Sequence, residues 1–236
     1  MAKIHRADLT KVRIIQVAAQ KFLESGYSNT SIKAISDELG MSTGNLTFYF
    51  PTKEHLLAEL TEMLCNFQWQ MTTDVVNEGK SSLMAICLEL TGMAVMCEED
   101  EIIKDFYLSA YSHPLSLDVI RSNDCTRAKE VFREYCPDWT DEMFAAAEAV
   151  ASGIEYATLM TTASSANLEA RIREALDGVL AVFHVPEEIR KIKIEKVLAL
   201  DYRKLGRDSL NAFIEYVNHS TEQIMEDMIK SWLGKA

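Results

Sequence analysis

The stretch from Thr30 to Lys53, TSIKAISDELGMSTGNLTFYFPTK, decides how this chain is built. Ile32, Ile35 and Leu39 recur at helical spacing on one face, with Ser36 as a small neighbour beside them. Thr30 stands where a helix N-cap belongs. Gly40 follows as a turn residue able to take a positive φ. A second short helix then opens at Ser42, again a capping residue, with Met41 and Leu46 at the spacing of a hydrophobic staple. Leu46 and Tyr49 or Phe50 face inward, which leaves Thr43, Gly44, Asn45, Thr47 and Phe48 outward. An outer face of small polar groups rather than Lys and Glu suits close approach to base edges and phosphates. Asn adds both a donor and an acceptor. The spacing predicts two helices crossing at a tight glycine turn, the second shaped for a DNA groove.

Working outward, a preceding helix is expected over 8–25, its apolar stripe made by Leu9, Val12, Ile15, Ala18, Ala19 and Phe22 and its end marked by Gly26. On the other side a helix runs from about residue 52 to Asn77, ended by Gly79, with Leu56, Leu57, Leu60, Leu64 and Phe67 tying the head to the remainder. Further helices are expected at about 81–98, 101–112, 115–136, 140–164, 168–184, 186–199 and 203–233, with Pro114, Pro137 and Pro186 at junctions. No run reads as a period-2 strand, and 9 glycines and 4 prolines in 236 residues leave little room for loops. The fold class is therefore all-α: a three-helix head over 1–51 and one helical body over 52–236, the helix from about 52 connecting them.

Composition narrows the function. The formal charge is −12, yet residues 1–56 carry seven Lys or Arg against five Asp or Glu, a net of +2 that leaves −14 on the rest. A slightly basic head on an acidic body suits a protein whose head alone meets DNA, since phosphate attraction acts over a Debye length of about 8 Å. Five cysteines (65, 87, 97, 125, 136) lie mostly among apolar residues without metal-ligand spacing, which fits reduced core thiols of a cytoplasmic protein. No apolar run reaches the roughly 18 residues of a spanning helix; Glu89 interrupts the nearest, 83–97, and the N-terminus lacks a secretory h-region. No HExxH, phosphate loop, dinucleotide fingerprint or paired carboxylate cluster is present, and the five histidines are scattered. Neither catalytic nor metal-ligating residues are expected, nor a cofactor.

The run Gly40 to Leu57, GMSTGNLTFYFPTKEHLL, preceded by Phe22, Gly26-Tyr27 and Thr30-Ser31-Ile32, closely resembles the DNA-binding domain of TetR-type transcriptional regulators over residues 8–57. Thr43 and Thr47 stand where that family usually has Lys and Tyr. The resemblance implies DNA contacts from Thr30, Ser31, Ser42, Thr43, Gly44, Asn45, Thr47, Phe48 and Tyr49, with Lys53 as a phosphate ligand. It also implies a cytoplasmic homodimer that leaves a near-palindromic double-stranded operator when a small molecule fills the body, hence a repressor. Met93, Met96, Phe106, Tyr107 and Tyr111, thioethers and aromatics on successive helices, are the candidate effector lining. Ala149, Gly153 and Tyr156, with Leu176, Val179, Leu180 and Phe183 on the next helix, are the candidate dimer contact. The competing reading is a helical scaffold or adaptor that keeps the unit for packing alone.

Overall fold

The computed structural model describes the backbone over residues 6–77 and 81–233, and side chains over 9–71, at 74 and over 81–223. Those residues form helices joined by short turns, and no strand occurs among them. The head comprises α1 (Arg6–Ser25), α2 (Ile32–Glu38) and α3 (Thr43–Tyr49). The body comprises α4 (Lys53–Asn77), α5 (Ser82–Glu99), α6 (Glu101–Ser112), α7 (Pro114–Phe132), α8 (Asp141–Leu159), α9 (Leu168–Val182), α10 (Glu187–Leu198) and α11 (Tyr202–Leu233). Gly79, expected to end α4, and the apolar positions expected at 224, 228 and 232 of α11 lie outside the residues whose side chains are described.

The head closes on Ile14, Ala18, Phe22, Ile35, Leu46 and Phe50, each at most 5% exposed. Gly26 and Gly40 take φ of +87° and +64°, the left-handed turns that their positions after α1 and α2 require. Two local expectations shift. Ile14 rather than Ile15 is fully buried, because α1 is gripped by α4, α6 and α11 as well as α2, a wider embrace than one stripe serves. Ser31 rather than Thr30 caps α2, its hydroxyl accepting from the Ala34 N–H at 3.1 Å.

In the body, α5 is the central helix, buried along nearly its whole length from Leu83 to Cys97. Helices α4, α8, α9 and α11 surround it. Helix α11 packs along α5 and reaches α1, seating Phe213 against Phe67 (5.5 Å between ring centres) and Phe106 (6.4 Å). Helix α8 stops at Leu159, five residues short of the expected end. The Ser165 hydroxyl accepts from the Thr162 N–H at 2.8 Å, holding that segment as a turn. The five cysteines are free, and burial pushes thiols such as Cys87 up to about 12, as inert core groups require. No helix is long and apolar enough to cross a membrane among the described residues.

Candidate nucleic-acid interface and adjoining cavities

Helix α3 is held from beneath by Leu46, fully buried, and Phe50, 5% exposed. Its cap is the Ser42 hydroxyl, which accepts from the Asn45 N–H at 3.2 Å. Thr43, Gly44 and Asn45 are exposed and Thr47 half-buried, so these positions share one open face. Phe48 stands 80% exposed, its ring edge-on to half-buried Tyr49 at 5.3 Å. A large aromatic ring held that far into solvent is open to apolar contact with the thymine methyl of a base edge. Ser31 is exposed at the start of α2.

Two expected DNA contacts need correction or refinement. Thr30 is only 4% exposed, and its hydroxyl donates to Gly26 O (2.8 Å) and Lys21 O (3.2 Å), satisfying the end of α1; its side chain is not available to DNA. Lys53 is half-buried rather than extended into solvent. Its Nζ donates to Tyr27 O (2.7 Å) and Thr30 O (2.9 Å) and lies 3.9 Å from the centre of the Tyr27 ring. Desolvation pulls the ammonium below the ordinary lysine range, with Asp105 opposing, while burial, Glu54 and Asp105 push Tyr27 up to about 12. Lys53 thus clamps the 27–30 loop that carries α2.

That loop is also bound to the body. The Ser28 N–H and hydroxyl both donate to the Asp105 carboxylate on α6, the former at 2.8 Å. The Tyr27 ring meets His113, after the end of α6, edge-on at 5.0 Å. Sequence reasoning missed this joint, because Asp105 and His113 meet the loop across 77 and 86 residues and carry no local signature.

Helix α6 also leads inward. Met93, Met96 and Tyr107 line a cavity of about 20 Å³, whereas Phe106 is fully buried against Tyr107 and Phe213 and serves as core. Tyr111 lines a second, of about 10 Å³, with Met93 and Asp124. A third, of about 40 Å³, lies among α5, α7, α8 and α9 and is walled by Glu89, Asp124, Arg127, Glu148 and Glu155 beside Phe132 and Phe183. The first shares Phe67, Met71 and Ser209 with a cleft of about 620 Å³ between α4 and α11. Arg127 forks onto Glu89, with one arm at 3.0 Å, and stands 3.6 Å from Asp124; Glu155 accepts from the Tyr111 hydroxyl at 2.8 Å.

Burial pushes Asp124 up to about 7, against the pull of Arg127 and assisted by Glu89 and Glu148; Glu155 is raised well above its usual range by burial first and by Asp124. A carboxyl raised on folding holds a proton that the unfolded chain loses near pH 4. Its stabilising contribution is full below that pH and lost as pH rises through about 7. A tenfold change in proton affinity corresponds to about 1.4 kcal/mol. Screening of a side chain 27% exposed cuts the whole contribution to about 1–2 kcal/mol. The melting temperature of wild type is expected to fall by roughly 2–8 °C more between pH 5 and 8 than that of Asp124→Asn, as thermal unfolding across that range will measure; parallel curves would remove Asp124 from the cause.

The expected dimer residues divide. Gly153 is exposed and Ala149 half-buried, while Tyr156 turns inward, 6.3 Å from the Tyr111 ring. Leu176, Val179, Leu180 and Phe183 are at most 3% exposed within one chain, and Phe183 stacks on Phe132 at 4.2 Å. They are core of the monomer and not a contact surface. The exposed apolar face of α8 is instead Met143, Ala146, Val150, Gly153, Ala157 and Met160, a 3,4-spaced seam about 26 Å long.

A three-helix head with an outward, small-polar α3 on an all-helical body defines a helix-turn-helix protein. Residues 14–60 match the family of bacterial regulatory proteins described as the tetR family. The match covers the head and the start of α4. The chain is 31% identical over 78 residues to the uncharacterized HTH-type transcriptional regulator YuxN of Bacillus subtilis (strain 168), a stretch covering 33% of this chain and 27% of that protein. The match therefore spans about a quarter of the length of that relative. Among solved structures, the TetR family protein CprB from S. coelicolor A3(2) is 21% identical with a TM-score of 0.43, over 88% of this chain and 99% of that one. The tetr regulator tylp from Streptomyces fradiae is 18% identical with a TM-score of 0.48, over 86% and 96%.

Proposed function

We propose that this chain is a homodimeric, one-component transcriptional regulator of the bacterial cytoplasm, without enzymatic activity, which represses from a near-palindromic operator and is released by a small molecule. The observation that carries this reading is the outer face of α3: Thr43, Gly44, Asn45 and Phe48 are exposed on a helix whose other face is fixed by buried Leu46. A scaffold that kept the unit for packing alone has no need of an aromatic ring 80% in solvent. Ser31, Ser42, Thr43, Gly44, Asn45, Thr47, Phe48 and Tyr49 are the proposed contacts, with Lys53 holding them in place. The head spans 1–51 and the body 52–236, with α4 packed on both.

Control follows from α6, which places Tyr107 and Tyr111 at the cavities and Asp105 and His113 at the loop of the head. A ligand that fits the body better with α6 displaced shifts the population toward heads unable to span both half-sites, and lowers operator affinity by its differential binding.

Selection of genomic fragments on the purified protein is expected to recover short near-palindromes, bound with an affinity that falls steeply as salt rises. Asn45→Ala is expected to change base preference at one position per half-site by about 1–3 kcal/mol. Recovery of no enriched sequence by the wild type would remove the proposed function, and an unchanged preference profile would remove Asn45 from readout.

A further inference from the structure

The cavity among α5, α7, α8 and α9 is rich in acidic groups. Four acidic side chains, Glu89, Asp124, Glu148 and Glu155, line it with one guanidinium, Arg127, which is already forked onto Glu89. Glu148 is 3% exposed, and its Oε1 meets no hydrogen-bond partner among the described residues. Such an atom is costly unless something occupies the space in front of it. No three His, Cys, Asp or Glu of the described residues converge closely enough to hold a metal ion. The remaining wall is apolar and aromatic, with Phe132 and Phe183 stacked beside the carboxylates, the surroundings that favour an organic cation over a hydrated one. The neighbouring cavity shares Glu89 and Asp124 with this one, and shares Met93 and Tyr107 with the thioether-lined cavity that adjoins the cleft between α4 and α11.

We infer that the effector of this protein is an amphiphilic organic ammonium, its charged head at Glu148 and its apolar tail directed toward Met93 and the α4–α11 cleft. The inference rests on the reading of the body as a small-molecule sensor and names the chemical class it senses. An ammonium donates up to three hydrogen bonds and carries a positive charge, so the Glu148 Oε1 gains the partner it lacks. Burial raises the Glu148 carboxyl, against the influence of Arg121 and the Ser152 hydroxyl.

The test uses the full chain and three probe series of matched tail length at constant ionic strength: n-alkylammonium chlorides from butyl to octyl, the corresponding alcohols and the corresponding carboxylates. Calorimetry is expected to show ammonium binding that strengthens with tail length, at least tenfold tighter than the alcohols, with no binding of carboxylates. Glu148→Gln, close to isosteric, is expected to lose at least tenfold in ammonium affinity while keeping the weak alcohol binding. Asp124→Asn serves as a second variant should Glu148→Gln unfold. Alcohols or carboxylates binding as tightly as ammoniums, no ammonium binding at all, or unchanged affinity in both variants would overturn the inference. Operator binding measured on the same preparation separates the two readings. Specific DNA binding without any ammonium effect leaves the regulator and removes the cation, and ammonium binding without specific DNA binding leaves the cation site and removes the regulator.

Discussion

Lys53→Ala is expected to lower the melting temperature by about 4–8 °C and to weaken binding to every DNA sequence by a similar factor, without altering base preference. The reason lies in where the ammonium sits. It donates to Tyr27 O at 2.7 Å and Thr30 O at 2.9 Å and covers the Tyr27 ring, so it fixes the turn from which α2 departs. Hydrogen bonds from a charged donor contribute roughly 1.5–3 kcal/mol each. Here the two share one cation, and the lowered pKa of Lys53 signals a desolvation cost, so about 2 kcal/mol net is the larger share that survives. For a chain of this size 1 kcal/mol corresponds to about 2–4 °C. Removing the clamp also strands two carbonyls near the surface of the head and lets α2 and α3 drift together, which costs all sequences alike. A phosphate ligand behaves differently: its loss leaves stability unchanged and reduces the slope of log affinity against log salt by about 1. Thermal unfolding with a salt titration therefore decides between the two. A variant with wild-type melting and a shallower salt slope would restore Lys53 to the role that the family resemblance implies.

The same residue shows how far sequence alone reaches. That Gly40-Met41-Ser42 starts a turn and a capped helix is local chemistry, and the structure reproduces it down to the Ser42 hydroxyl on the Asn45 N–H. The inward set Leu46 and Phe50 is equally local. What Lys53 or Thr30 touches is not, because their partners Tyr27, Gly26 and Lys21 arrive only when α1 folds back on the 27–30 loop. A threonine one residue before a helix looks like a cap, and only the backbone path reveals that Ser31 takes that position while Thr30 closes α1. The acidic cavity had a visible trace: Glu89 stands alone in the apolar run 83–97, where a charge needs a partner. Arg127, its partner, lies 38 residues away, and no spacing rule links them. Glu148 and Glu155 lie seven apart on α8 and so share a face, a pattern that solvated helices also show.

Val150→Arg is expected to convert a dimer into a monomer of 26.6 kDa and to reduce operator affinity by at least a hundredfold. An apolar stripe reads identically whether its cover is the same chain or a second copy, which is why Leu176, Val179, Leu180 and Phe183 resembled an interface. Once α5, α8 and α10 are placed around α9, those four are covered, whereas α8 keeps an exposed apolar face. Met143, Val150 and Met160 are 45%, 54% and 46% exposed, and Ala146, Gly153 and Ala157 between them are small enough for close helix approach. A seam of this shape crossing its own copy about a two-fold axis places Val150 near the centre, where residue and symmetry mate meet. Two guanidinium groups there face each other without a counter-ion, at a cost of several kcal/mol. Because Val150 is exposed in the single chain, the substitution leaves the monomer core intact. The affinity loss follows from geometry, since a near-palindrome gives each head a weak half-site and the dimer supplies the effective concentration for the second. Light scattering on the eluting protein measures the mass, and titration of an operator fragment measures the affinity. A wild-type monomer, or a Val150→Arg variant that remains dimeric, would move the interface off α8.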